Sequence, residues 1–360
     1  MAKGGLESRI IRLQRLAERL RQIWIHWRGT SGQIYFEHRV AEYERMWRAV
    51  AEALGAEFHP LSREIWEIRR GNARSRIASY QLEFDNPVIL RMAGDKPLMH
   101  RMLSDAGLPV PDHQVFTLDS LANAYRFLDK HPLACVVKPA GGYGGRGVTT
   151  HLVTAEGIKK AAILASLHSR QLLIERQIPG ECYRLLVLEG RVVHAVCRLG
   201  QRLRGDGHST IGQLLGKQDG QSGDPRRLLD DADVRFTLGY QNLALDSVPE
   251  EGREFLVRSV NDPHRKNIEL RTVYTETVTE RIGRGIVQQA EQAAKILGSD
   301  LLGVDIIATD VSQPLNGQNG VINEVNTTPA LHHHYNVERE KYPDVALKAM
   351  SALLSRSARA

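Results

Sequence analysis

The chain has 360 residues, of which 42% are hydrophobic and 25% charged, and its formal net charge is +6. This composition is typical of a globular protein with room for two or three domains, and it excludes a disordered chain. The three cysteines lack metal-type spacing, and the chain has neither a membrane-length apolar run nor a signal-peptide core, so we expect a cytoplasmic protein.

The first predicted element is an amphipathic helix with a basic face. Such a face is compatible with anionic lipid, nucleic acid or an acidic substrate. More often the basic face is solvated and the apolar stripe packs on its own domain or on a second subunit. We therefore expect no membrane or nucleic-acid partner and leave a homo-oligomer open. The apolar positions are Leu6, Ile10, Leu13, Leu16, Leu20, Trp24 and Trp27, and the arginines are Arg9, Arg12, Arg15, Arg19 and Arg21.

The rest of the chain mixes helices and strands without a regular βαβ repeat, which favours an α+β fold with layered sheets. Capping residues mark several helix ends, such as Asp95 at a start and Gly107 and Gly298 at ends. The predicted helices are Val40 to Leu54, Lys96 to Ala106, Ser120 to Lys130, Ala155 to Leu167 and Glu280 to Leu297. The predicted strands are Ala134 to Lys138, Leu172 to Glu175, Arg184 to Val196, Phe255 to Val260, and two that contain Asp305 and Glu324.

Three oxygen-bearing side chains near the end of the chain predict a magnesium site. Glu324 and Asn326 lie two residues apart in a short β-branched strand, so they point to the same face. Asp305 lies in the preceding apolar run, and the Gly/Asn/Pro-rich linker between the runs predicts a hairpin. Hard oxygen ligands on adjacent strands suit Mg²⁺, although an edge strand with solvated polar residues explains the pair alone.

A glycine-rich loop follows Lys138, the last residue of a predicted strand. Gly142, Gly144, Gly145 and Gly147 let successive backbone N–H groups approach phosphate oxygens, and Lys138 is placed to reach a phosphate. The spacing fits neither a P-loop nor a dinucleotide fingerprint, so we expect a hairpin lid over a nucleotide.

A second segment, from Leu173 to Val187, has the pattern of a hinge between two lobes. One strand breaks at Pro179-Gly180 and a second begins. Backbone groups from Glu175 to Ile178 are candidates to bind an adenine ring.

Together these segments resemble the ATP-grasp superfamily, and within it the ATP-grasp part of cyanophycin synthetase and related amino-acid and peptide ligases. The matching landmarks run from about Trp66 to His334. The resemblance implies an α+β ATP-grasp fold, with two α+β lobes gripping ATP and an N-terminal α/β domain before them. We expect the N-terminal domain at 1–90, the central lobe with the lid at 91–175 and the C-terminal lobe with the metal site at 176–360.

The resemblance also implies a role for each candidate residue. Lys96 and Lys138 would hold ATP phosphates, the glycine loop would cover them, and Arg184 and Arg198 would face the transferred phosphoryl group. Asp305, Glu324 and Asn326 would bind two Mg²⁺ ions, with Mn²⁺ as a substitute. The adenine and ribose contacts would be Glu175, Arg176, Ile178 and Glu181, and the substrate contacts His334 and Ala330.

The chain departs from the family pattern at several positions near the substrate. Cys182 replaces an acidic ribose contact, for which Glu181 is the candidate replacement, and Ala330 replaces a frequent glycine. His332 and His333 are compatible with substrate contact or a surface turn, and a zinc site is a weaker alternative. The basic segment Val257 to Lys266 replaces an Asn/Ser/Gly-rich loop, which suggests a different or more acidic substrate.

The resemblance implies an ATP-dependent carboxylate–amine ligase that forms an amide through an acyl phosphate and acts on amino acids or peptides. The chain lacks the P-loop motif of the second cyanophycin synthetase ligase domain, so we expect only one kind of ligation. Two alternatives remain open, an ATP-grasp kinase acting on a hydroxyl and a non-catalytic nucleotide-binding scaffold.

Overall fold

The computed structural model describes residues 2–28, 31–131, 133–142, 145–218, 232–260, 275–335 and 340–359. Contacts between Cα atoms divide the chain into two compact units. The first unit comprises Met1–Arg21, His113–Gln177 and Arg198–Tyr274, and the second comprises Gln22–Asp112, Ile178–Cys197 and Thr275–Ala360. The division into three contiguous domains remains a prediction.

In the second unit, one layer is a four-stranded antiparallel sheet in the order β1-β2-β3-β4. Its apolar face packs against two helices and forms a core around Trp47, Trp66 and Met350. Burial alternates along Ala73–Ala78, as expected for a sheet with one solvated face. The elements are β1 (Glu57–Pro60), β2 (Ile65–Arg70), β3 (Ala73–Ala78), β4 (Gln81–Leu82), α2 (Ser31–Ala53) and α10 (Asp344–Ser357).

The other layer of this unit is a five-stranded sheet in the order β13-β10-β9-β14-β15. Its interior strand Leu301–Ala308 is buried almost throughout because helices cover the sheet. Asp95 caps one of them by accepting from Leu98 N, and Gly298 ends another at φ 73°. The elements are α3 (Pro87–Ala93), α4 (Lys96–Asp105), β9 (Glu181–Leu188), β10 (Arg191–Arg198), β13 (Thr275–Thr277), α9 (Arg284–Leu297), β14 (Leu301–Ala308) and β15 (Gly320–Thr327).

The first unit has a four-stranded antiparallel sheet in the order β5-β8-β6-β7 and a separate β11-β12 ribbon. Two helices pack on the sheet around Phe116, Cys135 and Ile158. The elements are α1 (Ala2–Arg28), β5 (His113–Phe116), α5 (Leu121–Lys130), β6 (Cys135–Pro139), β7 (Thr149–Leu152), α6 (Ala155–Ala165), β8 (Leu172–Arg176), β11 (Gln201–Arg204), α7 (Ile211–Gln218), α8 (Ala232–Gly239) and β12 (Glu254–Arg258). The first helix belongs to this unit only as far as Arg21.

These elements confirm the predicted α+β fold, and two expectations need correction. The long helix begins at Arg284, because Thr279–Arg281 form a separate 3₁₀ turn. The apolar stripe of α1 does not pack on its own domain where its side chains are described, since Leu13 and Leu20 are 66% and 58% exposed. Ile11, outside that stripe, is the buried residue. Across the described residues, no helix is long and apolar enough to cross a bilayer.

Candidate active site

Three charged side chains form one row that runs from the central strand of the five-stranded sheet to its edge strand β15. Arg184 on β9 lies opposite Asp305 on β14, which lies opposite Glu324 on β15. Residues directly opposite in antiparallel strands place their side chains on the same face. The predicted hairpin is therefore confirmed.

Arg184 and Asp305 form a bidentate ion pair within the row. Arg184 Nε and Nη2 each donate to an Asp305 carboxylate oxygen at 2.6 Å. Both residues are 8% exposed. Burial opposes the charge on Arg184, but the pairing with Asp305 outweighs burial and raises the pKa of the guanidinium group. The arginine thus stays charged inside the sheet layer.

A β-bulge shapes the other end of the row. The pairing shifts after Asp305, so Ile306 lies opposite Ile322 and Asn323 is the extra residue on β15. The Asn323 carbonyl lies 3.1 Å from His100 Nε2 of α4. Lys96, the first residue of that helix, places its Nζ 3.2 Å from Glu324 Oε1. The bulge and the capped helix therefore bring a buried lysine to the second carboxylate.

Asn326, the third predicted ligand, lies two residues beyond Glu324 on the same strand of the hairpin. It pairs with Gly303, and its Nδ2 donates to Asp305 Oδ2 at 3.2 Å. A Cβ on Gly303 would lie 3.6 Å from Arg184 Cδ and 3.1 Å from Pro329 Cβ. The glycine therefore allows the close approach of Pro329, whereas an added Cβ would make only an ordinary contact with Arg184.

The donor set of this row fits magnesium chemically. It offers two carboxylates and an amide oxygen from adjacent strands, all hard ligands. Arg184 and Lys96 now neutralise the two carboxylates. In the described part of the chain, no group of three or more His, Cys, Asp or Glu side chains is placed to bind a metal ion. The magnesium roles of Asp305, Glu324 and Asn326 remain predictions.

The first unit holds a separate lysine–carboxylate pair. Lys138 Nζ lies 2.8 Å from Glu175 Oε1, and both side chains are almost fully buried. Lys138 is on β6 and Glu175 on β8, two neighbouring strands. A buried ammonium without a counter-charge is costly, and Glu175 supplies that counter-charge to Lys138.

The glycine loop connects two paired strands, as predicted for a hairpin. β6 and β7 are antiparallel, and Gly142, Gly145 and Gly147 all have positive φ. At Gly147 a Cβ would lie 2.8 Å from His168 Cδ2 and 3.1 Å from Ala165 Cα, so a larger residue does not fit there. Gly144 lies outside the described residues, and closure of the loop over a nucleotide remains a prediction.

The predicted adenine segment coincides with the division of the chain into units. Glu175 and Arg176 end β8 in the first unit, whereas Ile178 and Glu181 belong to the second. Ile178 is buried and Arg176 half-buried. Arg198, the last residue of β10, is half-buried and is the first residue of another stretch of the first unit. The roles assigned to these residues stay predictions.

The histidine run forms a buried 3₁₀ turn that follows Ala330. His333 is 7% exposed, so the surface-turn interpretation is wrong for it, and His334 is also buried, at 4%. His332 Nδ1 lies 2.6 Å from the Tyr43 hydroxyl, and His334 Nδ1 lies 3.0 Å from His194 Nδ1. Burial lowers the pKa of His194, with Asp344 opposing and Lys348 adding to the shift. The substrate roles of His334 and Ala330 are untested by this geometry.

Comparison with known proteins finds relatives of two kinds. It is 30% identical over 329 residues to cyanophycin synthetase from Trichormus variabilis, covering 85% of this chain and 36% of that protein. It is 27% identical over 278 residues to a bifunctional glutathione biosynthesis protein from Streptococcus thermophilus, covering 74% of this chain and 35% of that one. The chain therefore spans about a third of the length of these relatives. No protein-family model matches it.

A solved structure supports the fold. The crystal structure of a bifunctional glutathione synthetase from Pasteurella multocida matches with a TM-score of 0.55 and 21% identity, covering 84% of this chain and 42% of that one. The chain is a member of the ATP-grasp superfamily. Within the superfamily it is similar to the cyanophycin synthetases over most of its length.

Sequence reasoning missed three residues that shape the site. Gly303 allows the close approach of Pro329, Asn323 forms the bulge, and His194 contacts His334. Gly303 carried a signal, since a glycine inside an apolar strand often marks a close approach. The bulge and the histidine contact depend on register between distant strands, which no local pattern specifies.

Proposed function

We propose that the chain is an ATP-dependent ligase that joins a carboxylate to an amine through an acyl phosphate, releasing ADP and phosphate. The observation that carries this proposal is the Arg184–Asp305–Glu324 row with Lys96 at its end. It combines two fixed cations with hard oxygen donors, which suits phosphoryl transfer from a nucleotide. Similarity to cyanophycin synthetase supports an amide product and an amino-acid or peptide substrate.

In this reaction the protein mainly binds and orients charged groups. Asp305, Glu324 and Asn326 would hold Mg²⁺, which supplies charge neutralisation at the phosphates when bound. Lys96 and Lys138 would bind phosphate oxygens as point charges, and Arg184, whose Nε–Nη2 edge bonds to Asp305, would face the reacting group with its positive charge. Each of these cations is buried beside a carboxylate, so it is held in place before substrate arrives.

The remaining machinery would protect the intermediate from water. An acyl phosphate hydrolyses readily, so a ligase must close its site during the reaction. The positive-φ glycines after β6 suit a loop that lays backbone N–H groups over phosphates. No nucleophilic cysteine is required, and burial raises the pKa of Cys135 and of Cys197 to about 11, which disfavours their thiolates. We place the reaction in a reducing cytoplasm, in keeping with three free cysteines.

The direct test is Mg²⁺-dependent ADP release against a panel of amino acids and short peptides, singly and in pairs, with mass spectrometry of every active mixture. We expect ADP release that needs both a carboxylate and an amine, and a product at the summed mass minus water. A stable phosphate ester formed without an amine would overturn the ligase in favour of a kinase.

Two variants connect the activity to the row. Glu324→Gln should lower ADP release by about 100-fold or more because it removes a carboxylate that would hold Mg²⁺ at the phosphates. Asp310→Asn makes the same chemical change at an exposed residue of the hairpin loop and should retain activity. Equal activity of both folded variants would exclude the row as the site of phosphoryl transfer.

A further inference from the structure

The first unit contains a charged cleft that the proposed reaction does not use. The cleft has a volume of about 270 Å³ and lies between α1, the segment before α5 and the end of α6. We call it the arginine cleft. Its lining residues include Arg12, Arg15, Arg170, Asp119, Thr117 and Ile11.

One of the arginines has a structural role. Arg15 Nε donates to Ser166 Oγ and Nη2 to the Ser166 carbonyl, both at 3.0 Å. Ser166 is the C-cap of α6, where unpaired carbonyls favour a cation. Ile11, one helical turn earlier, is 6% exposed and packs in the core of this unit. These two contacts fix α1 against α6 and thereby fix the direction of its neighbouring side chains.

The other charges of the cleft have no such role. Within the described part of the chain, Arg12, Arg170 and Asp119 make no hydrogen bond or ion pair. Arg12 lies three residues before Arg15, so both side chains emerge on the same side of α1. Three guanidinium groups against one carboxylate leave the cleft net positive. Solvated arginines are common on convex surfaces, but here they surround a concavity.

We propose that the arginine cleft binds a small molecule with at least two carboxylate or phosphate groups. Guanidinium groups bind such oxygens with two parallel hydrogen bonds, and two unpaired forks suit two anionic groups. Asp119 adds an acceptor, which favours a ligand that also bears a hydroxyl or ammonium group. The volume suits a metabolite smaller than most drug-sized ligands. The proposal does not depend on the ligase activity.

Calorimetric titration of the full chain with inorganic pyrophosphate, citrate and L-glutamate, without metal, tests the proposal. We expect at least one probe to bind, and Arg12→Glu and Arg170→Glu each to weaken it by about tenfold or more. Arg9→Glu is the matched control, because it makes the same charge change at an exposed residue of the same helix outside the cleft. It should change the affinity by less than about threefold if only general attraction is lost.

The probes also separate the two sources of anionic oxygen. Binding of pyrophosphate alone assigns a phosphate ligand, whereas binding of citrate or glutamate alone assigns a carboxylate ligand. Hydrogen exchange of the unmodified chain gives a second readout, with added protection expected at 9–19 and 117–120. The proposal is overturned if no probe binds at millimolar concentration, if Arg9→Glu weakens binding as much as the cleft variants, or if protection appears elsewhere.

Discussion

At the scale of single residues, the Arg184–Asp305 pair shows how strongly a buried charge depends on its partner. The two side chains are only 10% and 12% exposed, and two hydrogen bonds at 2.6 Å join them. Removing one partner leaves an uncompensated charge inside the fold, whereas removing both does not. The pair therefore couples the proposed site to the stability of its sheet.

We predict that Asp305→Ala lowers the free energy of unfolding by about 3–5 kcal/mol, measured by urea denaturation. The double variant Arg184→Met/Asp305→Leu should recover most of that loss. Glu44→Ala is the comparison, because it breaks the Arg48–Glu44 pair, whose side chains are 51% and 34% exposed. It should cost less than about 1 kcal/mol, and equal losses in both single variants would contradict the prediction.

A second residue-scale prediction concerns Gly180, which follows the predicted hinge proline. Its φ is 117°, and an added Cβ would lie 2.3 Å from both the carbonyl carbon and oxygen of Ala308. Backbone atoms of a central strand cannot move aside, so Gly180→Ala should cost more than about 4 kcal/mol or prevent folding. Thermal and urea unfolding of the purified variant measure this loss.

Gly190 provides the control for this prediction. It also has a positive φ, 76°, but no atom lies within 4 Å of the position that an added Cβ would take. The only cost of Gly190→Ala is that alanine disfavours a positive φ, so this variant should lower the free energy of unfolding by about 1–2 kcal/mol. If the two alanine variants lowered the free energy of unfolding equally, the close approach of Gly180 to Ala308 would not contribute to the cost.

At the scale of elements, α1 presents most of its apolar side chains to solvent between residues 9 and 21, where the structure describes them. Ile11 is 6% exposed and Leu13, two residues later, is 66% exposed. Ile11→Ala should therefore cost about 2–5 kcal/mol, and Leu13→Ala should stay within about 0.5 kcal/mol, in urea denaturation at low protein concentration. A large cost for Leu13→Ala that grows with concentration would instead indicate a second subunit on the stripe.

The elements were predictable wherever their signals are local. Asp95 and Gly298 mark helix ends in the sequence because capping depends on neighbouring backbone groups, and both act as caps in the structure. The Asp305–Glu324 hairpin follows from two β-branched runs and a polar linker. The family resemblance was equally readable, since its motifs keep their order along the chain.

The partners within the site were not predictable to the same degree. Arg184 and Asp305 are 121 residues apart in sequence, and their pairing depends on which strands become neighbours. The bulge at Asn323 shifts the register by one residue and has no signature in a single sequence. The packing of the α1 stripe on its own domain was wrongly predicted, because an amphipathic pattern shows which side chains are apolar but not what covers them.

At the scale of the whole molecule, two half-buried histidines in different units connect stability to pH. His151 stacks on Tyr240 with ring centroids 3.7 Å apart, and its Nδ1 lies 2.8 Å from Thr150 Oγ1. His194 faces His334, and of the two Nδ1 atoms only one can carry the shared proton. Burial lowers the pKa of both His151 and His194 below 6.5. In both places the fold favours the neutral ring.

The sign of the pH effect follows from this preference. Below pH 6.5, His151 and His194 bind protons more readily in the unfolded chain than in the folded chain, because their pKa values are lower in the fold. Their contribution to stability is therefore complete above pH 6.5 and is lost as the pH falls toward the folded pKa. We predict a lower urea midpoint at about pH 5.5 than at about pH 7.5, at constant ionic strength. Hydrogen-bonded acids such as Glu67 and Asp310, whose pKa values are lowered from 4.5 and 3.8, weaken the fold only in stronger acid.

Variants assign this pH dependence to particular rings. His151→Asn retains a residue that tolerates the φ of 58° at this position, and His194→Gln retains a hydrogen-bonding group, so each should reduce the difference between the two midpoints. His208→Gln removes a ring whose side chain is 78% exposed and should leave the difference nearly unchanged. An unchanged difference in the His151 and His194 variants would attribute the acid sensitivity to the growing positive charge of the chain, since protonation of its 14 histidines adds to a net charge that is already +6.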